Sequence, residues 1–342
     1  MKLIGVGACY MDTVLRVPYY PSEDEKLRAT DISHRRGGNV PNTLEVLQQL
    51  VHQEKDHGHA PPLILCSVMP SACSVGSGKI KASFGPNVDL SRCLYREQCV
   101  EPASSYIIRS SSTDSRTIIN YNDLPEMTSA EFAAVADSFG SEAEASTWYH
   151  FECMQYLRRA YPTVKISVEV EKPGRAGLQE LAAEADVVFY SKGWALDRGK
   201  RMRALPLHDD EAVPQSDEAL TCLRSLLFCT WGDQGSTAFD VKRQETHHQQ
   251  ALPVAAIVEY GPLLSIFHAL HNGHTLTLLV STIGAGDTFI AGILYGLLWH
   301  CDDWDVARKL EFANELAGRK VCQEGFQGLG DLMRLRGPFR PE

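Results

Sequence analysis

Short apolar runs punctuate the chain at Leu3–Val6, Leu63–Cys66, Ile166–Val170, Val187–Phe189 and Leu226–Thr230. Each is too short for a buried helix and ends at glycine or polar residues, so each predicts a strand covered on both faces. The segments between them read as helices. Asn42–Leu50 sets Leu44, Val46, Leu47 and Leu50 near one face, Gly177–Ala185 is rich in Ala, Leu and Glu, and Thr288–His300 and Val306–Cys322 follow late in the chain. Strands alternating with helices predict an α/β fold with a mostly parallel sheet. Thr13–Val17 with Leu27–Ser33, and Ser105–Arg109 with Arg116–Tyr121, read instead as extended arms that form a small β-sheet lid. Lys242–Gln250 reads as a solvated loop. Its adjacent His247 and His248 make a poor metal pair, because neighbouring residues rarely converge on one ion.

Composition narrows the function. The 342 residues, 44% hydrophobic and 22% charged, suit a globular protein, and a net charge of −10 opposes binding to nucleic acid or an anionic membrane. No run approaches the roughly 18 apolar residues of a membrane span, and no signal-peptide pattern follows the N-terminus, so the expected location is the cytoplasm. The ten cysteines never take C-x-x-C spacing and read mostly as buried thiols in a reducing compartment. Small-molecule chemistry is what remains.

The strongest chemical signal is Ser281-Thr-Ile-Gly-Ala-Gly-Asp287, a glycine turn that runs into an apolar helix. Gly284 and Gly286 let the backbone approach a ligand, and the free amides of a helix start attract phosphate oxygens. Asp287, in the first turn, stands where a carboxylate can take the proton of an attacking hydroxyl while those amides stabilise the transferring group. An aspartate at a helix start also serves as a plain cap. Near the N-terminus, Asp12 follows the first strand and Arg36-Gly-Gly-Asn39-Val-Pro-Asn42 opens the next helix. Carboxylate and amide groups there suit a polyol, whose hydroxyls each need a donor and an acceptor, although Asn42 also reads as an N-cap and Asp12 as a turn residue.

Together, Gly37-Gly38-Asn39-x-x-Asn42 and Gly284-Ala285-Gly286-Asp287 resemble the two motifs of the PfkB/ribokinase family, in the family's order. Within it the chain is similar to the ketohexokinases over nearly its whole length, through Gly5-Val-Gly with Asp12, Ser115-Arg-Thr-Ile118, Ser167-Val-Glu-Val-Glu-Lys-Pro173, Asp186-Val-Val-Phe189 with Ser191-Lys192, and Ala317-Gly-Arg-Lys320. The resemblance implies a Rossmann-like, three-layer ribokinase fold with a mostly parallel sheet and a β-sheet lid that often mediates homodimers. It implies one kinase domain over 1–333, with lid arms near 13–35 and 104–122, and a tail at 334–342. It also implies ATP with Mg2+ as phosphoryl donor and a small sugar as substrate, fructose to fructose 1-phosphate before other sugars or nucleosides. A family member that binds sugar or nucleotide without turnover is the alternative. By resemblance Asp12, Gly38, Asn39 and Asn42 hold the sugar and Asp287 is the base. Arg116 reaches from the lid to the phosphates. Gly284, Ala285 and Gly286 form the anion hole, and Trp231-Gly232-Asp233-Gln234-Gly235 matches a turn beside the nucleotide, which as bare sequence also reads as a tight hairpin.

Two departures from that pattern stand out. Ketohexokinases run from a strand directly into Val-Asp-Thr-x-Gly-Ala-Gly-Asp, whereas here Val258 is separated from Thr282 by an anomalous, apolar segment at 260–280, and Ser281 replaces the first Asp. The codons available to Glu259-Tyr260-Gly261, Leu276-Thr277 and Ser281 include a 5′ splice sequence, a branch-point-like sequence and a terminal AG. The segment therefore reads as a translated intron. The second departure is at Trp148-Tyr-His-Phe-Glu152, which matches a strand that should continue through a short loop, but Cys153-Met-Gln-Tyr-Leu-Arg158 follows at once.

Overall fold

The computed structural model describes residues 2–52, 62–113, 115–139, 144–146, 151–174, 177–197, 225–252 and 281–334. The segment 260–280 and the tail beyond residue 334 lie outside them. The apolar runs form strands as expected: Leu3–Val6 (β1), Leu63–Cys66 (β4), Ser167–Val170 (β11), Val187–Ser191 (β12) and Leu226–Thr230 (β13). Glu144–Ser146 (β10), β1, β4 and Val88–Asp89 (β6) pair in that order, all parallel. β11, β12 and β13 are also parallel, and Ser236–Asp240 (β14) and Glu245–Gln249 (β15) extend that sheet antiparallel. Val68–Pro70 (β5) and Leu94–Arg96 (β7) make a separate short parallel pair.

Alternation along these strands builds two cores. Leu3, Leu63, Leu65, Phe189 and Phe228 point to the side covered by Asn39–His52 (α1), Ala285–Leu298 (α7) and Val306–Val321 (α8). Ile4, Val6, Ile64, Cys66, Val188 and Cys229 point to the side covered by Ser129–Asp137 (α3), Phe151–Ala160 (α4) and Leu178–Glu184 (α5). Helices on both faces of a largely parallel sheet give the three-layer α/β architecture. Phe228 stacks on Phe189 at 5.4 Å and meets Phe289 edge-on at 6.4 Å, which fixes α7 to the sheet. Val75–Ala82 (α2), Lys192–Asp197 (α6) and Leu329–Arg334 (α9) complete the helices among the described residues, and none of these helices is long and apolar enough to cross a membrane.

The lid is a four-stranded sheet in the order β3-β2-β8-β9, formed by Asp31–Gly37 (β3), Tyr10–Val17 (β2), Ser104–Ser110 (β8) and Arg116–Tyr121 (β9). The strand that pairs with β2 at the lid's edge is Asp31–Gly37, later than the expected 27–33. The Thr30 amide and hydroxyl close the preceding turn on Arg16 O, and pairing then runs on to Tyr10 opposite Gly37. Paired residues share a face. Asp12, Arg16, Arg35, Arg109 and Arg116 therefore occupy one face, and Leu15, Ile32, Tyr106, Ile108, Ile119 and Tyr121 the other.

Two expectations are corrected. Lys242–Gln250 is not a loop: Glu245–Gln249 pairs along β14, and His247 and His248 fall on opposite faces of that strand. Phe151 and Glu152 do not continue a strand but begin α4, where Cys153, Met154 and Leu157 recur at helical spacing and bury against Phe132 and Ala136 of α3. The strand at this place is β10, and residues 147–150 lie outside the described ones.

Candidate active site

The glycine turn enters α7 through Gly284, whose φ of 83° is in the left-handed region. A Cβ at Gly284 would lie 2.4 Å from Phe326 Cζ, so no side chain fits there without moving Phe326. Gly286 differs, because a Cβ built on it meets no atom of the described residues within 4 Å. The turn is held from α8. The Ser281 amide donates to Val321 O at 3.1 Å, and the buried Lys320 Nζ donates to Ser281 O at 3.3 Å and Gln323 O at 3.1 Å while lying over the Phe326 ring. Burial, helped by Arg35, lowers the Lys320 pKa to about 8. From the lid, Arg116 Nη1 reaches Thr282 Oγ1 at 3.2 Å, while Arg109 and Arg16 approach Glu324 at 3.4 and 3.9 Å.

Asp287 is the third residue of α7 and is 8% exposed. Asn42 Nδ2 donates to its Oδ2 at 2.7 Å, and Thr43 Oγ1 donates to its backbone carbonyl at 3.2 Å, so α1 and α7 meet at this carboxylate. Behind Asn42 stands the buried Arg36, whose Nη1 donates to Asn42 Oδ1 at 2.8 Å, whose Nη2 pairs with Glu45, and whose guanidinium lies 4.6 Å from the centre of the Phe84 ring. Burial lowers the Arg36 pKa to about 10, which still leaves it charged at neutral pH. For Asp287, burial is the dominant influence and raises the pKa to about 7. Asn42 opposes that rise, Glu171 adds to it, and Arg36 and Arg35 oppose it more weakly.

Asp12 lies where β2 leaves the core. Burial raises its pKa, while Arg35, whose Nε is 3.4 Å from Oδ2, and Ser105 act against that. Its carboxylate occupies the space a side chain would need at residue 37, since a Cβ on Gly37 would sit 2.3 Å from Asp12 Oδ1. Gly38 has a φ of 105°, and a Cβ there would be 2.2 Å from Ala8 O. Asn39 begins α1, and its Nδ2 donates to Glu169 Oε2 at 3.0 Å and Glu171 Oε2 at 3.2 Å.

Asp12, Gly38, Asn39, Asn42 and Asp287 thus gather around the start of α1 and the start of α7. Gly284, Ala285 and Gly286 form the adjoining turn, and Arg116 touches Thr282 just before it. Gly232, Asp233 and Gln234 form a single 3-10 turn closed by Gly235, which joins β13 to β14 and is tied to α8 where Ser236 Oγ donates to Asn314 Oδ1 at 3.0 Å. Sequence reasoning passed over Arg36, Glu169, Glu171 and Lys320 as chemical groups. Glu169 and Glu171 carried a usable signal, two carboxylates at alternate positions where a parallel strand ends, which is where open α/β sheets bind ligands.

A family model described as pfkB family carbohydrate kinase matches residues 274–330. Ketohexokinase of Mus musculus is 28% identical over 352 aligned positions, covering 96% of this chain and 98% of the relative. Ribokinase from Thermotoga maritima superposes with a TM-score of 0.67 at 14% identity, covering 98% of each chain. The chain is thus similar to pfkB carbohydrate kinases in sequence and shares the fold of ribokinases. A second structure of this fold, Arabidopsis thaliana ribokinase complexed with ribose and ATP, has a TM-score of 0.63 at 16% identity, covering 97% of this chain and 98% of the other. The shared fold is the three-layer arrangement described above.

Proposed function

We propose that this chain transfers the γ-phosphoryl group of ATP to a hydroxyl of a small sugar, with fructose and its 1-hydroxyl as the first candidate. One observation carries the reading: Asp287, a buried carboxylate whose pKa burial raises, stands in the first turn of α7 with Asn42 Nδ2 donating to it at 2.7 Å. A carboxylate so placed is a stronger base than an exposed one and can take a hydroxyl proton as the oxygen attacks. Asn42 holds it in place and is itself held by Arg36, so the base enters the reaction already oriented. The Ala285 amide is already given to Thr282 O at 3.3 Å, so Ala285 shapes the turn and does not donate to an anion. The start of α7, with its dipole, favours negative charge on the transferring group, and the absence of described neighbours beside Gly286 leaves room for phosphate oxygens to approach the backbone there. Arg116, now on Thr282, is within reach of the same oxygens, and Asp12, Gly38 and Asn39 offer acceptors and close backbone for the polyol. The turn 232–235 is assigned to the nucleotide by its family resemblance.

ATP bound with Mg2+ supplies the phosphoryl group. Among the described residues no three His, Cys, Asp or Glu side chains are arranged to hold a metal ion. A magnesium ion that arrives with the nucleotide keeps water and phosphate oxygens as most of its ligands, so such a cage is not required. Fructose is chosen because the mouse relative is a ketohexokinase, and ATP because a ribokinase of this fold is described with ribose and ATP. The test is sugar-dependent ADP release, measured with a coupled assay over ketoses, aldoses and nucleosides. Turnover with fructose above the other acceptors is expected. Sugar-induced thermal stabilisation without ADP release from any acceptor would sink the reading in favour of a binding protein.

A further inference from the structure

The side-chain amide of Asn39 has two N–H donors and one carbonyl oxygen. Its Nδ2 faces two carboxylates, Glu169 Oε2 at 3.0 Å and Glu171 Oε2 at 3.2 Å. Carboxylate oxygens accept, so the two together dictate which end of the amide points at them. Oδ1 is thereby turned away from both. Glu169 is the better anchored of the pair: it lies within β11, in register with Phe189 of β12, whereas Glu171 follows the strand. Asp287 and Glu171 are near enough to add to the rise that burial imposes on its pKa. The hydrogen bond from Asn39 Nδ2 acts the other way and favours the charged, accepting form, so the partly buried Glu169 and the Asn39 amide hold each other.

We propose that Glu169 is a positioning residue of the sugar site, which through Asn39 Nδ2 turns the Asn39 amide oxygen towards the substrate hydroxyls. The inference rests on the kinase reading above. Glu169 touches neither the hydroxyl nor the phosphates in this scheme, and its whole effect passes through Asn39.

A double-mutant cycle tests this, with kcat and the KM for sugar and for ATP measured on wild type, Glu169→Gln, Asn39→Ala and the double variant. Glu169→Gln keeps the size but no longer dictates the amide's orientation. The expected result is a rise in sugar KM on the order of tenfold with the ATP KM unchanged, and a double variant no worse than Asn39→Ala alone. A second arm reverses the roles. Asn39→Asp sets three carboxylates together and should lose more than either single change, and adding Glu169→Gln should restore sugar KM, because the new amide donates to the new carboxylate. Additive losses in the first cycle, an equal rise in ATP KM, or no rescue in the second overturns the inference while leaving the kinase reading intact. A wild-type chain with no sugar-dependent ADP release overturns both.

Discussion

Asp287, the base in the proposed reaction, is a carboxyl that burial acts on strongly. Desolvation raises its pKa to about 7, so if it is the base, kcat/KM for sugar should fall as pH drops through that value. Asn42 is the strongest opposing influence, and Asn42→Ala should therefore move the acid limb of the profile to higher pH, whereas a residue that only supported α1 would leave the limb in place. Asp287→Asn should reduce turnover by roughly 10²-fold or more with sugar and ATP binding retained, and near-normal turnover in a folded variant would refute the assignment. The stability sign is fixed by the same shift. A carboxyl whose folded pKa is raised above 3.8 favours the native state while protonated, and that contribution is lost as pH rises through about 7. Thermal unfolding of Asp287→Asn should show a smaller decline over that window than wild type. Asp12→Ala should weaken sugar binding by about 1–3 kcal/mol and leave ATP binding nearly unchanged, which calorimetry with each ligand resolves.

At the scale of elements, α1 and α7 meet at Asp287 and α8 holds the glycine turn, the side proposed for phosphate. Lys320, on α8, donates to two backbone carbonyls, one of them at Ser281, where the glycine turn begins. Lys320→Met keeps the length but leaves those carbonyls short of a donor, and should cost about 1–3 kcal/mol of unfolding free energy. Its kinetic signature should be a higher KM for ATP than wild type, with the sugar KM little changed; the opposite split would detach Lys320 from the phosphate turn. The helices and central strands were legible because burial writes itself as periodicity, Leu3 and Ile4 alternating between two cores and Leu44, Leu47 and Leu50 recurring along α1. β15 was not legible, since Glu245–Gln249 is a polar edge strand made by backbone pairing with β14. Asn39 and Asp287 were legible as parts of glycine motifs. Glu169 meets Asn39 across 130 positions of sequence, and nothing local to either residue encodes that contact. Lys320 gave no signal because a lysine near a helix C-terminus ordinarily reads as a solvated, dipole-matching charge.

Across the whole molecule, the lid divides its labour between two faces. The face bearing Asp12, Arg109 and Arg116 turns to the site, while Ile32, Tyr106, Ile119 and Tyr121 on the other are each about half exposed. The homodimer that the family resemblance implies would bury such an apolar face against a second copy of the lid. On that expectation, sedimentation should show a dimer for the wild type and a monomer for Ile119→Glu at unchanged fold, and a wild-type monomer would refute it. The remaining anomaly concerns the gene as well as the chain. The sequence keeps both glycine motifs with Asp12 and Asp287, yet the segment 260–280 separates Val258 from Thr282, with Ser281 where the ketohexokinase pattern has Asp. If the segment is a retained intron, excision of the last base of codon 259, codons 260 to 280 and the first two bases of codon 281 keeps the reading frame. The joined codon, GA followed by the pyrimidine of a serine AGY codon, encodes Asp. The chain then reads Val-Asp-Thr-Ile-Gly-Ala-Gly-Asp, so one event restores both the spacing and the missing residue. A lineage-specific insertion would restore neither, although loop-closure entropy would tolerate it. Sequencing of cDNA should reveal the shorter transcript, and the shorter protein should exceed the longer one in ADP release and thermal stability, because amides of an anion hole must be placed to within about half an ångström. A transcript population that contains only the full segment would refute the intron.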